Sequence, residues 1–353
     1  MARIDALFTM MKEQGASDLH LSSGNPPIFR QHGEMVRLNF KALGHDELKT
    51  ILFEILSEKQ KAQFEGAKDL DFAYEVPGLA RFRGNIMMQY RGIAAVFRII
   101  PSKILSADEL GLPEGVRRMT NFKKGLVLVT GPTGSGKSTT LAAMIDLINS
   151  TRKEHILTFE DPLEFIHETK LSLMNQRQIG EHTESFATAL RAALREDPDV
   201  ILVGEMRDLT TIQLAMSAAE TGHLVFGTLH TSTAAKTVDR IIDVFPSDQQ
   251  DQVRAMLSES LKGVICQQLL KTADGKGRVA AFEIMLGSPA IANLIREGKT
   301  FQIPSIIQTA KREGMQLLDQ HLIDLLKTKM VNPEEAYRCA VDKKQFEQYL
   351  TPA

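Results

Sequence analysis

The residues 131–138, GPTGSGKS, carry the densest chemistry in the chain. They satisfy G-x-x-x-x-G-K-[ST] at every position. They follow the apolar run GLVLVT and open TTLAAMIDLI, the strand-then-helix setting in which this spacing makes a phosphate cradle. Gly131, Gly134 and Gly136 let the backbone curl, so that N–H groups of the loop from Thr133 and Ser135 through Thr139 face phosphate oxygens at the positive end of a helix. Lys137 is expected on the β- and γ-phosphates of ATP, and the Ser138 hydroxyl on Mg²⁺.

Hydrolysis also needs a group that orients or deprotonates water and a second hold on the metal. Two acidic runs offer them. TFEDPLEF brings Glu160, Asp161 and Glu164 as one apolar strand ends. DPDVILVGEMRD ends its strand in Gly204–Glu205, with Arg207 and Asp208 after it. Asp208, and by the same reasoning Asp161, has a competing reading as a helix N-cap. Gly204 stands where many P-loop enzymes carry an aspartate, so Glu205 is expected to support Mg²⁺ through water. A fourth run, LVFGTLHTST, passes from an apolar strand into Thr228, His230 and Thr231. A lone histidine beside apolar residues is ordinarily structural. This one leaves the same sheet edge as the cradle and the acidic runs, where ligands of such folds gather. His230 is therefore read as a reporter of the γ-phosphate, with Thr228 and Thr231 as its supports. His223, at the other end of the strand, is read as structural.

Around these residues the pattern from Lys124 on is strand alternating with helix. Examples of the helices are TESFATALRAALRE and DLTTIQLAMSAAETG, the latter capped by Asp208 and stopped by Gly222. Such alternation predicts an α/β fold with a mainly parallel sheet covered on both faces. KTADGKGRVAAFEIML reads as a hairpin turning at 274–277, and the chain is helical after Pro289. Before Lys124, IDALFTMMKEQG is an amphipathic helix on Ile4, Leu7, Phe8 and Met11, stopped at Gly15. SGNPPIFRQHGEMVRL reads as a strand pair. Residues 80–100 are mostly β-like and carry Arg81, Arg83, Arg91 and Arg98, on spacing alone either a solvated face or a ligand-facing row. The stretch from Pro101 is rich in Pro and Gly and reads as a linker. The expected organisation is a domain over 1–100, a linker over 101–120, an ATPase domain over 121–289 and a helical region over 290–353.

At 353 residues the chain can bury two cores. A net charge of −2 and 6% aromatics argue against a nucleic-acid translocase, which needs a basic, aromatic-bearing channel. Cys266 and Cys339 form no CxxC pair, which disfavours zinc and disulfides and suits a reducing cytoplasm. No apolar run reaches the length of a membrane span, and no leader is recognisable. Membrane association is therefore expected through a partner.

With these residues in view the chain resembles the AAA-like secretion ATPases of type II secretion and type IV pili, and among them the pilus-retraction branch. The resemblance runs over nearly the whole length. SDLHLSSGNPPIFRQHGE matches the N-terminal domain, GPTGSGKST the Walker A box, FEDPLE the Asp box, ILVGEMRD the Walker B box and GTLHT the His box. IANLIREGKT, residues 291–300, resembles the branch's AIRxxxREGK signature, with Ala292 where an arginine is expected. The resemblance implies a RecA-like ATPase domain preceded by a smaller α+β, PAS-like domain and followed by a helical tail. It also implies a homohexamer with ATP between its N-terminal and central domains. Glu164 is then the catalytic base, Glu205 the metal support and His230 the γ-phosphate reader. Arg83 and Arg98 occupy the positions of the family's nucleotide arginines, with Arg81 and Arg91 as lesser candidates. Arg296, Glu297, Gly298 and Lys299 form the retraction signature. Absence of the four-cysteine site of the extension and secretion motors favours retraction and no zinc. The implied function is a Mg²⁺-dependent motor for pilus retraction and twitching motility. It would lie in the cytoplasm at the inner membrane, on the pilus platform protein, with a paralogous retraction ATPase as a possible partner. Alternatives are that paralogous accessory ATPase itself, an extension or type II secretion ATPase, a RecA-like nucleic-acid translocase, which shares the P-loop and strand order, or a switch without turnover.

Overall fold

The computed structural model describes residues 2–31, 33–100 and 103–350. The chain forms two compact units: Met1–Lys103 with Pro162–Ile166, and Ile104–Asp161 with His167–Ala353.

The first unit runs α1 (Asp5–Glu13), β1 (Asp18–Ser22), β2 (Ile28–Gln31), β3 (Glu34–Arg37), α2 (His45–Phe53), α3 (Glu58–Ala67), β4 (Asp69–Val76), β5 (Ala80–Gln89) and β6 (Gly92–Ile100). Its sheet has the order β3-β2-β1-β6-β5-β4 and every pairing is antiparallel. The sequence of β5 shows why it has two faces. Phe82, Gly84 and Ile86 turn inward, while Arg83 is exposed and Arg81 half-buried on the other side. Phe8 of α1 stacks on Phe82 with ring centroids 4.0 Å apart and meets Phe97 edge-on. Such ring pairs add roughly 0.5–1.5 kcal/mol each beyond area burial. Gly84 is required here: a Cβ on it would lie 2.8 Å from the rings of Phe72 and Phe97.

The second unit begins with α4 (Glu114–Met119), β7 (Gly125–Thr130), α5 (Lys137–Thr151), β8 (His155–Glu160), β9 (Leu173–Gln178), α6 (Phe186–Ala193), β10 (Val200–Val203) and α7 (Leu209–Glu220). It continues with β11 (Leu224–Leu229), α8 (Ala234–Asp243), α9 (Gln250–Ser260), β12 (Leu261–Lys271), β13 (Arg278–Leu286), α10 (Pro289–Arg296), α11 (Ile303–Thr309), α12 (Leu318–Lys327), α13 (Pro333–Cys339) and α14 (Lys344–Glu347). The sheet order is β13-β12-β7-β11-β10-β8-β9. All neighbours are parallel except β12 and β13. Every residue of β7, β10 and β11 is buried, as a parallel sheet covered on both faces demands.

The stretch expected as a linker is built into this unit. Leu112, Val116 and Met119 are buried in its core, and Gly115 sits so close to the Gly314 carbonyl that a Cβ would lie 2.3 Å from it. Pro101 and Ser102, which open that stretch, lie outside the described residues. The tail also belongs here. Ile291, Leu294 and Ile295 of α10 join the main core. Leu318 and Leu322 of α12 and Phe346 of α14 enclose a smaller core with Leu270 and Ala281 of the β12–β13 hairpin.

Candidate functional site

The register of the parallel strands brings four chain exits to one edge of the sheet. Thr130 of β7 pairs with Leu229 of β11, Gly227 of β11 with Val203 of β10, and Val203 with Phe159 of β8. The phosphate loop, His230, Glu205 and Glu160 therefore follow on from the same ends of adjacent strands.

The loop has the backbone of a phosphate cradle. Gly131, Gly134 and Gly136 adopt φ of +144°, +79° and +87°, values that favour glycine. A Cβ on Gly131 would lie 2.3 Å from the Gln267 carbonyl oxygen, and one on Gly136 would lie 2.8 Å from Gln267 Nε2. Ser135 Oγ is buried with no hydrogen-bond partner among the described residues. Lys137 opens α5 and its Nζ donates to the carbonyls of Gly131 (2.8 Å) and Pro132 (3.1 Å). Ser138 and Thr139 follow in the first turn of α5. A curled loop of glycines, an ammonium on its rim and a hydroxyl at the helix start are the donor set that a nucleotide phosphate with Mg²⁺ requires.

Glu205 lies just beyond β10. Its Oε1 accepts from His230 Nε2 at 2.9 Å and lies 2.5 Å from Arg207 Nε. Burial pushes the carboxyl upward, yet hydrogen bonds and charge from Arg207 and His230 outweigh it, so it titrates below its ordinary value. Glu205, Arg207, His230, Thr231 and Arg240 line one concavity of about 530 Å³. The Thr228 hydroxyl donates to the Gly204 carbonyl at 2.5 Å, and the Met206 N–H donates to the Thr228 carbonyl. Thr228 thus ties the Glu205 turn to the His230 strand, while the Thr231 hydroxyl meets Thr237 Oγ1 at 2.7 Å. Both threonines support the edge rather than the imidazole itself. His223 Nδ1 lies 2.9 Å from the Ala218 carbonyl at the end of α7, a structural contact. Asp208 caps α7 by accepting from the Thr211 N–H and hydroxyl.

The Asp-box segment is arranged otherwise than a helix start. Glu160 accepts from Thr158 Oγ1 at 2.8 Å. Asp161 caps nothing, because residues 161–172 run without a helix to β9. Pro162–Ile166, with Glu164 half-buried between buried Leu163 and Phe165, belongs to the first unit, where Arg81 Nη1 donates to the Leu163 carbonyl at 3.3 Å.

On the first unit's sheet, Arg83 and Arg98 stand directly opposite each other on β5 and β6. Arg98 Nε is 2.7 Å from Asp18 Oδ1. Burial works against the Asp18 charge, but Ser17 and Arg98 prevail and lower its pKa. Arg83 is exposed and makes no ion pair among the described residues. Arg91 sits at the β5–β6 turn, just past Gln89 at the far end of β5 and about 20 Å along the strand from Arg83. It is therefore apart from the other three. In the tail, Arg296 Nη2 donates to Ser258 Oγ of α9 at 3.2 Å. Lys299 Nζ pairs with Glu297 at 2.8 Å, and Gly298 turns the chain at φ +68°.

Three residues escaped sequence reasoning. Gln267 is a buried polar residue within the apolar strand β12, which was a readable signal. Arg240 is one charge among many on α8. Met206, 1% exposed, fills the space above Gly227, a fit that no spacing reveals.

Fold and site together define a P-loop ATPase. The chain belongs to the family described as "Type II/IV secretion system protein", which matches residues 2–338. A protein of Pseudomonas aeruginosa described as "Type IV pilus retractation ATPase PilT" is 56% identical over 333 residues, covering 94% of this chain and 96% of that one. A "Twitching motility protein" of Neisseria gonorrhoeae is 55% identical over 314 residues, 89% of this chain and 84% of its own. A crystal structure described as the pilus retraction motor PilT with bound ADP superposes with a TM-score of 0.91 at 47% identity, covering 99% of each chain.

Proposed function

We propose that this chain is an ATP-hydrolysing motor, Mg²⁺-dependent and working as a homohexamer, that powers retraction of a type IV pilus through ATP-driven domain movements. The observation that carries the reading is the Glu205–His230 contact on the strand edge that bears the phosphate loop, in a chain alike over almost its whole length to a pilus retraction ATPase.

Lys137 and the loop N–H groups hold the β- and γ-phosphates. The Ser138 hydroxyl would hold Mg²⁺, with Glu205 supporting it through water, and the ion would supply charge neutralisation at the phosphate oxygens. Glu205 is held below its ordinary pKa by Arg207 and His230, which keeps it charged at this edge. Proton abstraction from the attacking water is assigned to Glu164, as the resemblance to the secretion ATPases implies. His230 Nε2 serves either Glu205 or a γ-phosphate oxygen, and exchange between them reports which nucleotide is bound. Arg83 and Arg98 are assigned to phosphate charge in the working assembly. No helix among the described residues is long and apolar enough to cross a membrane. The motor is assigned to the cytoplasmic side of an inner-membrane platform protein. The signature Arg296–Lys299 is assigned to retraction rather than to hydrolysis.

Deletion of the gene tests this directly. Many pili that never retract support the retraction motor. Loss of pili points to an extension ATPase, and unchanged retraction under low load to an accessory paralogue. Phosphate release stimulated by DNA would revive the translocase reading, and its absence under all conditions the switch.

A further inference from the structure

We propose that Gln267 of β12 is a positioning residue for the phosphate loop, holding the Ser135–Gly136 peptide so that the Gly136 N–H faces the nucleotide phosphates. The inference rests on the nucleotide-binding reading above. Gln267 is 3% exposed in a strand of otherwise largely apolar, buried residues. A buried amide is costly unless both its ends are bonded. Here both are, one to the phosphate loop and one to the helix that the loop opens. Nε2 donates to the Ser135 carbonyl at 2.7 Å, and Oε1 accepts from the Thr140 hydroxyl, in the first turns of α5, at 2.8 Å. The backbone carbonyl of Gln267 occupies the space beside Gly131. One residue therefore braces the loop at its entry, at its floor and at the helix that follows.

The consequence comes from peptide planarity. In a trans peptide the C=O and the next N–H point in opposite directions. A Ser135 carbonyl held toward Gln267 therefore forces the Gly136 N–H to the opposite side, away from β12. Gly136, at φ +87°, is the residue type at which a peptide most easily flips. Without the Gln267 bond the carbonyl could turn inward, removing a donor from the anion and offering an acceptor in its place. The Ser135 carbonyl sets the polarity of the brace. It can only accept, so the NH₂ group must face it, and Oε1 is left to accept from the Thr140 hydroxyl. Thr140 is 2% exposed, so water does not substitute.

The test is Mg·ADP affinity of the full-length protein, measured by calorimetric titration alongside Tm. Gln267→Leu removes both bonds and is expected to raise Kd about 10- to 100-fold. Gln267→Glu keeps the acceptor for Thr140 but puts a carboxylate oxygen against the Ser135 carbonyl, so its Kd should rise at least as far. Thr140→Val should raise Kd about threefold or more, and Thr140→Ser, which keeps the hydroxyl, should restore the wild-type value. A lower Tm with Kd within twofold of wild type in Gln267→Leu or Gln267→Glu would show a purely structural residue and overturn the proposal. If those two fail to fold, a folded Thr140→Val with unchanged Kd overturns it. Failure of the wild type to bind Mg·ADP would refute the nucleotide reading instead.

Discussion

Gly227→Ala probes the fit between the Glu205 turn and the His230 strand. Gly227 is buried in β11 between Val203 of β10 and Leu128 of β7. A Cβ there would lie 2.2 Å from Met206 Sδ and 3.3 Å from Met206 Cγ. Ordinary contact needs about 3.5–4 Å, so the thioether must retreat by roughly 1.5 Å. Met206 is 1% exposed and has no solvent to retreat into, although a methionine adapts better than a branched side chain. Overpacking of this kind costs about 1–3 kcal/mol, and each kcal/mol should lower Tm by about 2–4 °C in a unit of this size. Met206 lies between Glu205 and Arg207, and its N–H is bonded to Thr228. Its displacement is therefore transmitted to the carboxylate. A misplacement of about 1 Å is enough to cost on the order of 100-fold in kcat. Calorimetry and steady-state phosphate release read the two effects. Shortening the methionine in the same protein, as Gly227→Ala with Met206→Ala, should recover part of both, with a coupling of about 0.5–3 kcal/mol. A Gly227→Ala protein with wild-type Tm and kcat, or a double variant no better than the single one, would refute the argument.

Lys137→Ala should abolish ATP binding, whereas Glu205→Gln should leave ADP binding near wild type and lower kcat by about 10²- to 10³-fold, read by titration and phosphate release. Asp208→Ala removes the two bonds to Thr211 and should destabilise the protein by about 0.5–2 kcal/mol in urea unfolding. His167 is buried near Asp146 and Lys170, and burial, outweighing the Asp146 attraction, pulls its pKa down to about 4. An imidazole that stays neutral when folded contributes its stability above its ordinary value of 6.5. That contribution is lost as pH falls from there through about 4. The loss approaches about 3 kcal/mol, and urea unfolding of His167→Gln against wild type should show the difference narrowing over that window. Arg296→Ala with Lys299→Ala should hydrolyse ATP normally yet fail to retract pili, and retraction at wild-type rate would refute the assignment of the tail signature.

The local chemistry was legible because local rules govern it. The phosphate loop declares itself by glycine spacing between a strand and a helix, and Asp208 caps α7 because an aspartate before an apolar periodic run has few better uses. The hairpin of β12 and β13 turns at the residues 274–277 because Asp and Gly there permit little else. Continuous apolar runs likewise determined a parallel sheet, and a parallel sheet necessarily gathers its strand exits at one edge.

Tertiary packing decided the rest. The segment from Pro162 to Ile166 follows a strand of one unit yet belongs to the other, where Arg81 donates to the Leu163 carbonyl. Residues 104–120 look like a linker by composition, but Val116 and Met119 found a core to fill. The four arginines of 80–100 are alike as letters. The hairpin register sets Arg83 opposite Arg98 and sends Arg91 to the far turn. Glutamine 267, Gln267, is only a polar residue in an apolar strand until β12 is laid beside β7 and its amide meets Ser135 and Thr140. Composition and spacing thus determined which residues hold phosphate and which strands carry them. Only the long-range pairing of strands decided which side chains brace that site, because such contacts depend on where distant segments come to lie.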